Sequence, residues 1–149
     1  MQIDDIDIVI LKELQEDFTT SYRDIAKKLN LSVGTVHNRV KKLTDIGVIK
    51  SFTAVLDPEK LGFELTAVIL MQVEGGKIVD IEKTISSSKS VTAVYDTTGE
   101  FDIVAIAKFR SREELNAFIK ETIKMDAIKR TVTSIALNVV KEDIKLNLR

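Results

Sequence analysis

The chain has 149 residues, 44% hydrophobic and 30% charged, with a net charge of −1. This fits one ordinary domain or two small ones and excludes a disordered chain. With no cysteine and a single histidine, His37, it excludes disulfides, thiolate metal sites and cysteine nucleophiles, and argues against a multi-histidine metal site or a His-based catalytic pair.

No apolar run nears the ~18 residues of a membrane span. The opening MQIDDIDIVILKEL lacks the basic start of a signal peptide. The expectation is a cytoplasmic protein without membrane contact or cofactor. The charge is unevenly placed. Residues 1–20 hold one Lys and six Asp/Glu, residues 21–50 hold seven Lys/Arg and two Asp, and the remainder nets −1. A local basic patch is what phosphate contact requires, although charge alone does not separate it from a lysine-rich surface helix.

In chain order, Asp4 to Glu16 reads as a helix, because Ile6, Val9, Ile10 and Leu14 recur at helical spacing with Ile3 leading in. Its acidic outer face should point away from DNA. EDFTTSYR follows as a loop, and Ser21 or Thr20 caps a second helix holding Ile25, Ala26 and Leu29. Asn30 suits a left-handed helix stop. Ser32 caps a third helix, in which Val36, Val40 and Leu43 share one face. Gly34, Asn38, Lys41 and Asp45 lie opposite, flanked by Thr35, His37 and Lys42, with Arg39 at the edge of the apolar stripe. Gly47 ends that helix. Residues 51–56 read as a short strand, and DPEKLGF, with the only proline, as a boundary.

The second half alternates strand and helix patterns. Strands are expected at residues 63–73, 91–97, 101–109 and 128–140, with helices around Ile78–Ile85 and after Ser111. Ser111 and Glu114 form a capping box, and Leu115, Phe118, Ile119, Thr122 and Ile123 form the buried face of the second helix. The tail 141–149 is expected to be partly ordered at best. The order β-α-β-β-α-β is the ferredoxin-like split unit. The fold class is therefore α+β, an N-terminal helix-turn-helix with a C-terminal ferredoxin-like sandwich. The expected domains are residues 1–50, a linking strand and hinge at 51–62, a ferredoxin-like dimerisation domain at 63–140, to which the resemblance described below adds effector binding, and the tail. Val68, Leu70, Val104, Ile106, Ile135, Leu137 and Val139 leave an apolar second sheet face, which predicts a homodimer.

The third helix is the first candidate site. Ser32, Gly34 and Thr35 at its start offer small side chains and free backbone N–H groups for phosphate and close approach. Gly34 costs an interior helix position up to about 1 kcal/mol against alanine, so closeness is its best explanation. Asn38 suits adenine, while Lys41 and Lys42 suit phosphate or guanine. Arg39 is better placed to hold scaffold than to read a base, and His37 can reach a base edge or phosphate. Tyr22, Arg23 and Lys27 can reach flanking phosphates. A helical pair that binds protein is the alternative for this block.

IDDIDIVILKELQED, IAKKLNLSVGTVHNRVKKLTDIGVIKSFTAVLDPEKLGF and AVYDTTGEFDIVA together resemble the Lrp/AsnC (feast/famine) transcription regulators over nearly the whole chain. The resemblance implies a winged or plain helix-turn-helix, a linking strand and a ligand-sensing ferredoxin-like domain that dimerises and often builds octamers. It also implies pseudo-palindromic double-stranded promoter DNA as partner and an amino acid as effector.

The second candidate is the turn TTGEFD, Thr97–Asp102. Gly99 permits a tight bend with exposed backbone, and Glu100 or Asp102 can receive an ammonium group. On the residues alone an ordinary hairpin turn is the better reading. The resemblance places this loop, here Thr98, Gly99, Glu100, Phe101 and Asp102, at the effector site, joined by Thr131 and Thr133 of the last strand and, more loosely, Asn116 and Lys120. Two threonine hydroxyls suit a polar, uncharged effector such as glutamine or asparagine. No Walker loop, G-x-G-x-x-G or nucleophile elbow is present, so an enzyme is not expected. The expected function is an effector-controlled DNA-binding regulator, with a ligand-sensing or scaffold protein whose N-terminal helices bind a protein partner as the alternative.

Overall fold

The computed structural model describes residues 3–17 and 19–149; Met1 and Gln2 of the opening segment, and Phe18 of the expected EDFTTSYR loop, lie outside the described residues. The chain divides into two compact units, Met1–Val55 with Asp143–Arg149, and Leu56–Glu142.

The first unit is built on three helices, α1 (Asp5–Glu16), α2 (Tyr22–Leu29) and α3 (Val33–Asp45). Each begins on a side-chain cap: Asp4, Ser21 and Ser32 accept the backbone N–H of Asp7, Asp24 and Thr35. Such a cap satisfies one of the orphan donors of a helix start and is worth about 1 kcal/mol. Asn30 ends α2 at φ 52°, ψ 44°, the left-handed stop its side chain tolerates. Ile10, Ile25, Ala26, Val36, Val40, Leu43 and Ile49 form the core between the helices. Ile6, expected in the apolar stripe of α1, is exposed. The position facing inward there is Asp7, which has no solvent exposure.

Residues 51–56 form no strand. They run as exposed chain, because a strand is defined by a ladder and nothing among the described residues supplies one. Gln15 of α1 holds the tail at one point: its amide donates to the Leu146 carbonyl at 3.0 Å and accepts the Leu146 N–H at 2.8 Å.

The second unit follows the split ferredoxin-like order: β1 (Leu65–Val73), α4 (Ile78–Ser86), β2 (Val91–Asp96), β3 (Ile103–Phe109), α5 (Arg112–Ile123) and β4 (Ile128–Ile135). The antiparallel sheet runs β2-β3-β1-β4. Ala67, Ile69, Met71 and Val73 alternate into the core with Ile103, Ala105, Ala107 and Phe109, beneath Ile81, Ile85 and Leu115. Three expectations are corrected here. The last strand stops at Ile135, so Leu137 and Val139 lie beyond the sheet; its final backbone bond is Ala136 N–H to Thr66 O. Ile123 is 56% exposed, because the buried face of α5 turns away at its last residue. Ser111 caps α5 as expected, but Glu114 reaches back to the N–H of Arg110 instead of Ser111. Val68, Leu70, Val104 and Ile106 lie half-buried on the face opposite the helices, whereas Ile135, expected with them, pairs opposite Ala67 and so faces the helix-covered side.

Candidate DNA interface and effector loop

In the first unit, α3 buries Val36, Val40 and Leu43 and turns Gly34, His37, Asn38 and Lys41 outward. Arg23 and Lys27 are exposed on α2. Ser32 and Thr35 are occupied by capping: the Ser32 hydroxyl accepts the Thr35 N–H at 3.0 Å and pairs with the Thr35 hydroxyl at 2.8 Å. Tyr22 is half-buried and meets His37 edge-on, with ring centroids 6.1 Å apart. It braces α2 against α3 and leaves His37 at the surface.

Arg39 and Lys42 go elsewhere. Arg39 Nη1 donates to Asp4 Oδ2 and Asp7 Oδ1, each at 2.7 Å, and Lys42 Nζ donates to Asp7 Oδ2 at 2.9 Å. Two cations of α3 therefore face the acidic start of α1, and that part of its acidity turns inward. Burial pushes the Asp7 carboxyl up, but the hydrogen bonds from Lys42 and Arg39 outweigh it and hold it below the usual carboxylate range. The hydrogen bond from Arg39 holds the Asp4 carboxyl down as well. The signal for this network is present in the sequence. Asp7 falls on the same helical stripe as Ile3, Ile10 and Leu14, where an apolar residue is expected.

In the second unit, the Thr97–Asp102 turn is closed by its own side chains. Thr97 donates its hydroxyl to Phe101 O at 2.8 Å, and Gly99 takes φ +120°, a backbone state L side chains rarely adopt. Thr98, Gly99 and Glu100 are exposed. The Asp102 carboxylate is engaged with the backbone of β1. Arg130, which sequence reasoning missed, donates to Glu100 at 2.8 Å and lies over the Phe101 ring at 5.4 Å. Thr131 and Thr133 pair opposite Met71 and Ile69, so both face the helix-covered side of the sheet. Neither hydrogen-bonds to the turn, whereas Arg130, of the other parity, reaches it.

A three-helix unit with an outward polar stripe has the form of a helix-turn-helix reader, and it is joined to a separate ferredoxin-like unit. Family models agree: residues 3–50 match the winged helix-turn-helix DNA-binding model, and residues 66–146 match the Lrp/AsnC ligand binding domain. An uncharacterised HTH-type transcriptional regulator from Pyrococcus furiosus is 56% identical over 146 residues, covering 98% of this chain and 99% of its own length. The HTH-type transcriptional regulator FL11 from Pyrococcus horikoshii is 37% identical over 147 residues, covering 99% of this chain and 97% of its own. The structure of AsnC from E. coli superposes with a TM-score of 0.85 at 28% identity, covering 97% and 99% of the two chains. This chain belongs to the Lrp/AsnC family and is a DNA-binding transcriptional regulator with a ligand-binding domain. Of the two forms the resemblance allowed, the matched model is the winged one; among the described residues the stretch between α3 and the 3-10 turn at Glu59–Leu61 carries no strand.

Proposed function

We propose that the protein reads pseudo-palindromic promoter DNA as a homodimer or octamer, and that a small amino-acid-like effector controls its assembly or its DNA binding. The carrying observation is the outward stripe of α3, His37, Asn38 and Lys41, set opposite a fully packed Val36/Val40/Leu43 face. A helix with that division places its polar side in the major groove, and Arg23 and Lys27 of α2 flank it toward phosphate. Two copies related by a two-fold axis read half-sites one or more helical turns apart. The protein acts by binding, not by catalysis, in the cytoplasm.

The apolar pairs Val68/Ile106 and Leu70/Val104 are the surface a second copy covers. The effector reading is supported by the open Thr98–Glu100 turn and by a regulator from Neisseria meningitidis solved as an L-Met complex, with a TM-score of 0.85 at 25% identity, covering 99% of this chain and 97% of its own. An effector shifts the assembly only through unequal affinity for its two states.

The test is selection of duplexes from a random pool by the full-length protein, followed by gel-shift titration with each of the twenty amino acids. Enrichment of a pseudo-palindrome, and loss of its binding when Lys27, Asn38 and Lys41 become alanine, are expected. A pool that stays random removes the DNA reading. Titrations unmoved by every amino acid remove the effector reading.

A further inference from the structure

We propose that Asp7, braced by Asp4, is the positioning residue of the DNA-reading helix. It fixes the rotation of α3 about its own axis, and through that the base preference, without touching DNA. The inference rests on the reading of α3 as the helix that enters the groove.

The apolar contacts of Val36, Val40 and Leu43 hold α3 in place but are non-directional, so they resist separation better than rolling. The ionic contacts are directional. Asp7 is fully buried, and each of its oxygens meets a different cation of α3: Oδ1 meets Arg39 and Oδ2 meets Lys42. Those cations lie three residues apart, nearly one turn, so a single carboxylate grips α3 at two points along its length. Asp7 cannot swing away freely. Its side chain also accepts the Asp4 N–H at 3.3 Å while Asp4 accepts the Asp7 N–H at 2.9 Å, a reciprocal cap that locks both acids to the start of α1. Arg39 is shared between the two acids, at 2.7 Å from each.

Asn38 and Lys41 each precede a gripped residue, so they turn with it. A roll of about 20° moves a group about 6 Å from the axis by roughly 2 Å. Base-edge hydrogen bonds span only about 0.5 Å of donor–acceptor distance, so that movement breaks them. Phosphate attraction decays over about 10 Å and survives it. A buried ion pair is seldom the most stabilising filling for a core, and fixing one geometry is its attested use. The loss of Asp7 should therefore separate specificity from affinity.

The experiment uses the full-length protein, the duplex it selects from a random pool and a scrambled duplex of equal length, titrated across salt well below the melting temperature. Asp7→Asn is expected to weaken the selected duplex by on the order of tenfold, the discrimination of one good base contact, with the scrambled duplex and both salt slopes unchanged. Arg39→Lys, which keeps the charge but not the fork, should move the ratio in the same direction. An unchanged ratio in the folded variants overturns the proposal and leaves Asp7 merely structural. A steeper salt slope on both duplexes also overturns it, because Asp7 would then be shielding Arg39 and Lys42 from phosphate. Should Asp7→Asn not fold by circular dichroism, Asp4→Asn and Arg39→Lys decide by the same ratio. Lys41→Ala separates the two readings: if it weakens neither duplex, the assignment of α3 itself fails.

Discussion

The Asp102 carboxylate accepts the backbone N–H of Val73 at 2.7 Å, and the Asp102 N–H donates to Met71 O at 2.9 Å. The two bonds pin the closing residue of the β2–β3 turn to the last residues of β1. An acid proposed to receive a ligand is therefore also a strut of the sheet. Asp102→Ala leaves the Val73 N–H without its partner, a loss of about 1–3 kcal/mol. Asp102→Asn keeps an acceptor and should lose less than half of that. Urea denaturation checks both, and an alanine variant as stable as the parent would remove the strut assignment.

The helical half of the fold was legible because its signals are local. Ser21, Ser32 and Asn30 are caps and a stop that act where the pattern puts them, whereas Asp4, read as the first residue of the helix, is its cap instead. The expected strand at 51–56 failed because a strand needs a partner, and periodicity does not supply one. The last strand ended early for the same reason, since Leu137 and Val139 alternate correctly with nothing to pair against. On α3, the outward position of Asn38 and Lys41 was legible from their angle, whereas Lys42, one step further round, is engaged by Asp7. Arg130 was not legible, because its contact with Glu100 spans 30 residues and depends on how β4 registers against β1.

The Asp4/Asp7 network predicts acid lability. Both carboxyls are held below their ordinary values, so the folded state binds protons less readily than the unfolded chain there. Their contribution is fully present above the unfolded carboxylate pKa of about 3.9 and is lost as pH falls through the lowered folded values. Stability should be nearly flat from about pH 7 to 5 and decline below about 4. Asp7→Asn should cost about 3 kcal/mol at neutral pH, the low end for breaking a buried pair, because Lys42 and Arg39 keep some solvent access. Its acid decline should be shallower than the parent's, with the remainder coming from Asp4, which keeps Arg39, and from Asp17, Asp57 and Glu113, which are also held down. Urea midpoints at several pH values measure this, and parallel declines would mean that Asp7 does not titrate with folding.

The open sheet face predicts a second copy. Val68 pairs with Ile106 and Leu70 with Val104, giving four apolar side chains on the side no helix covers. Sedimentation at micromolar concentration should show a dimer or larger particle. Leu70→Glu places a charge in that interface and should raise the dissociation constant by about 100-fold or more. The strand signal in circular dichroism should be retained, since Leu70 is only half-buried within one chain. A parent protein that sediments as a monomer at that concentration refutes the dimer.

Gly34 predicts opposite signs for stability and binding. It sits in the first turn of α3 with ordinary helical backbone, and a Cβ added there would meet only the Ser32 hydroxyl, at 3.8 Å, an ordinary contact. Nothing among the described residues therefore requires glycine. Gly34→Ala should stabilise the first unit by up to about 1 kcal/mol, because alanine loses less backbone entropy in a helix. If the start of α3 approaches the duplex backbone closely, the same methyl group meets DNA, and affinity should fall several-fold even as the melting temperature rises. Thermal denaturation and gel shift on one preparation give both signs. Gains in both stability and affinity would move the DNA contact away from the start of α3 and onto its middle, where Asn38 and Lys41 lie.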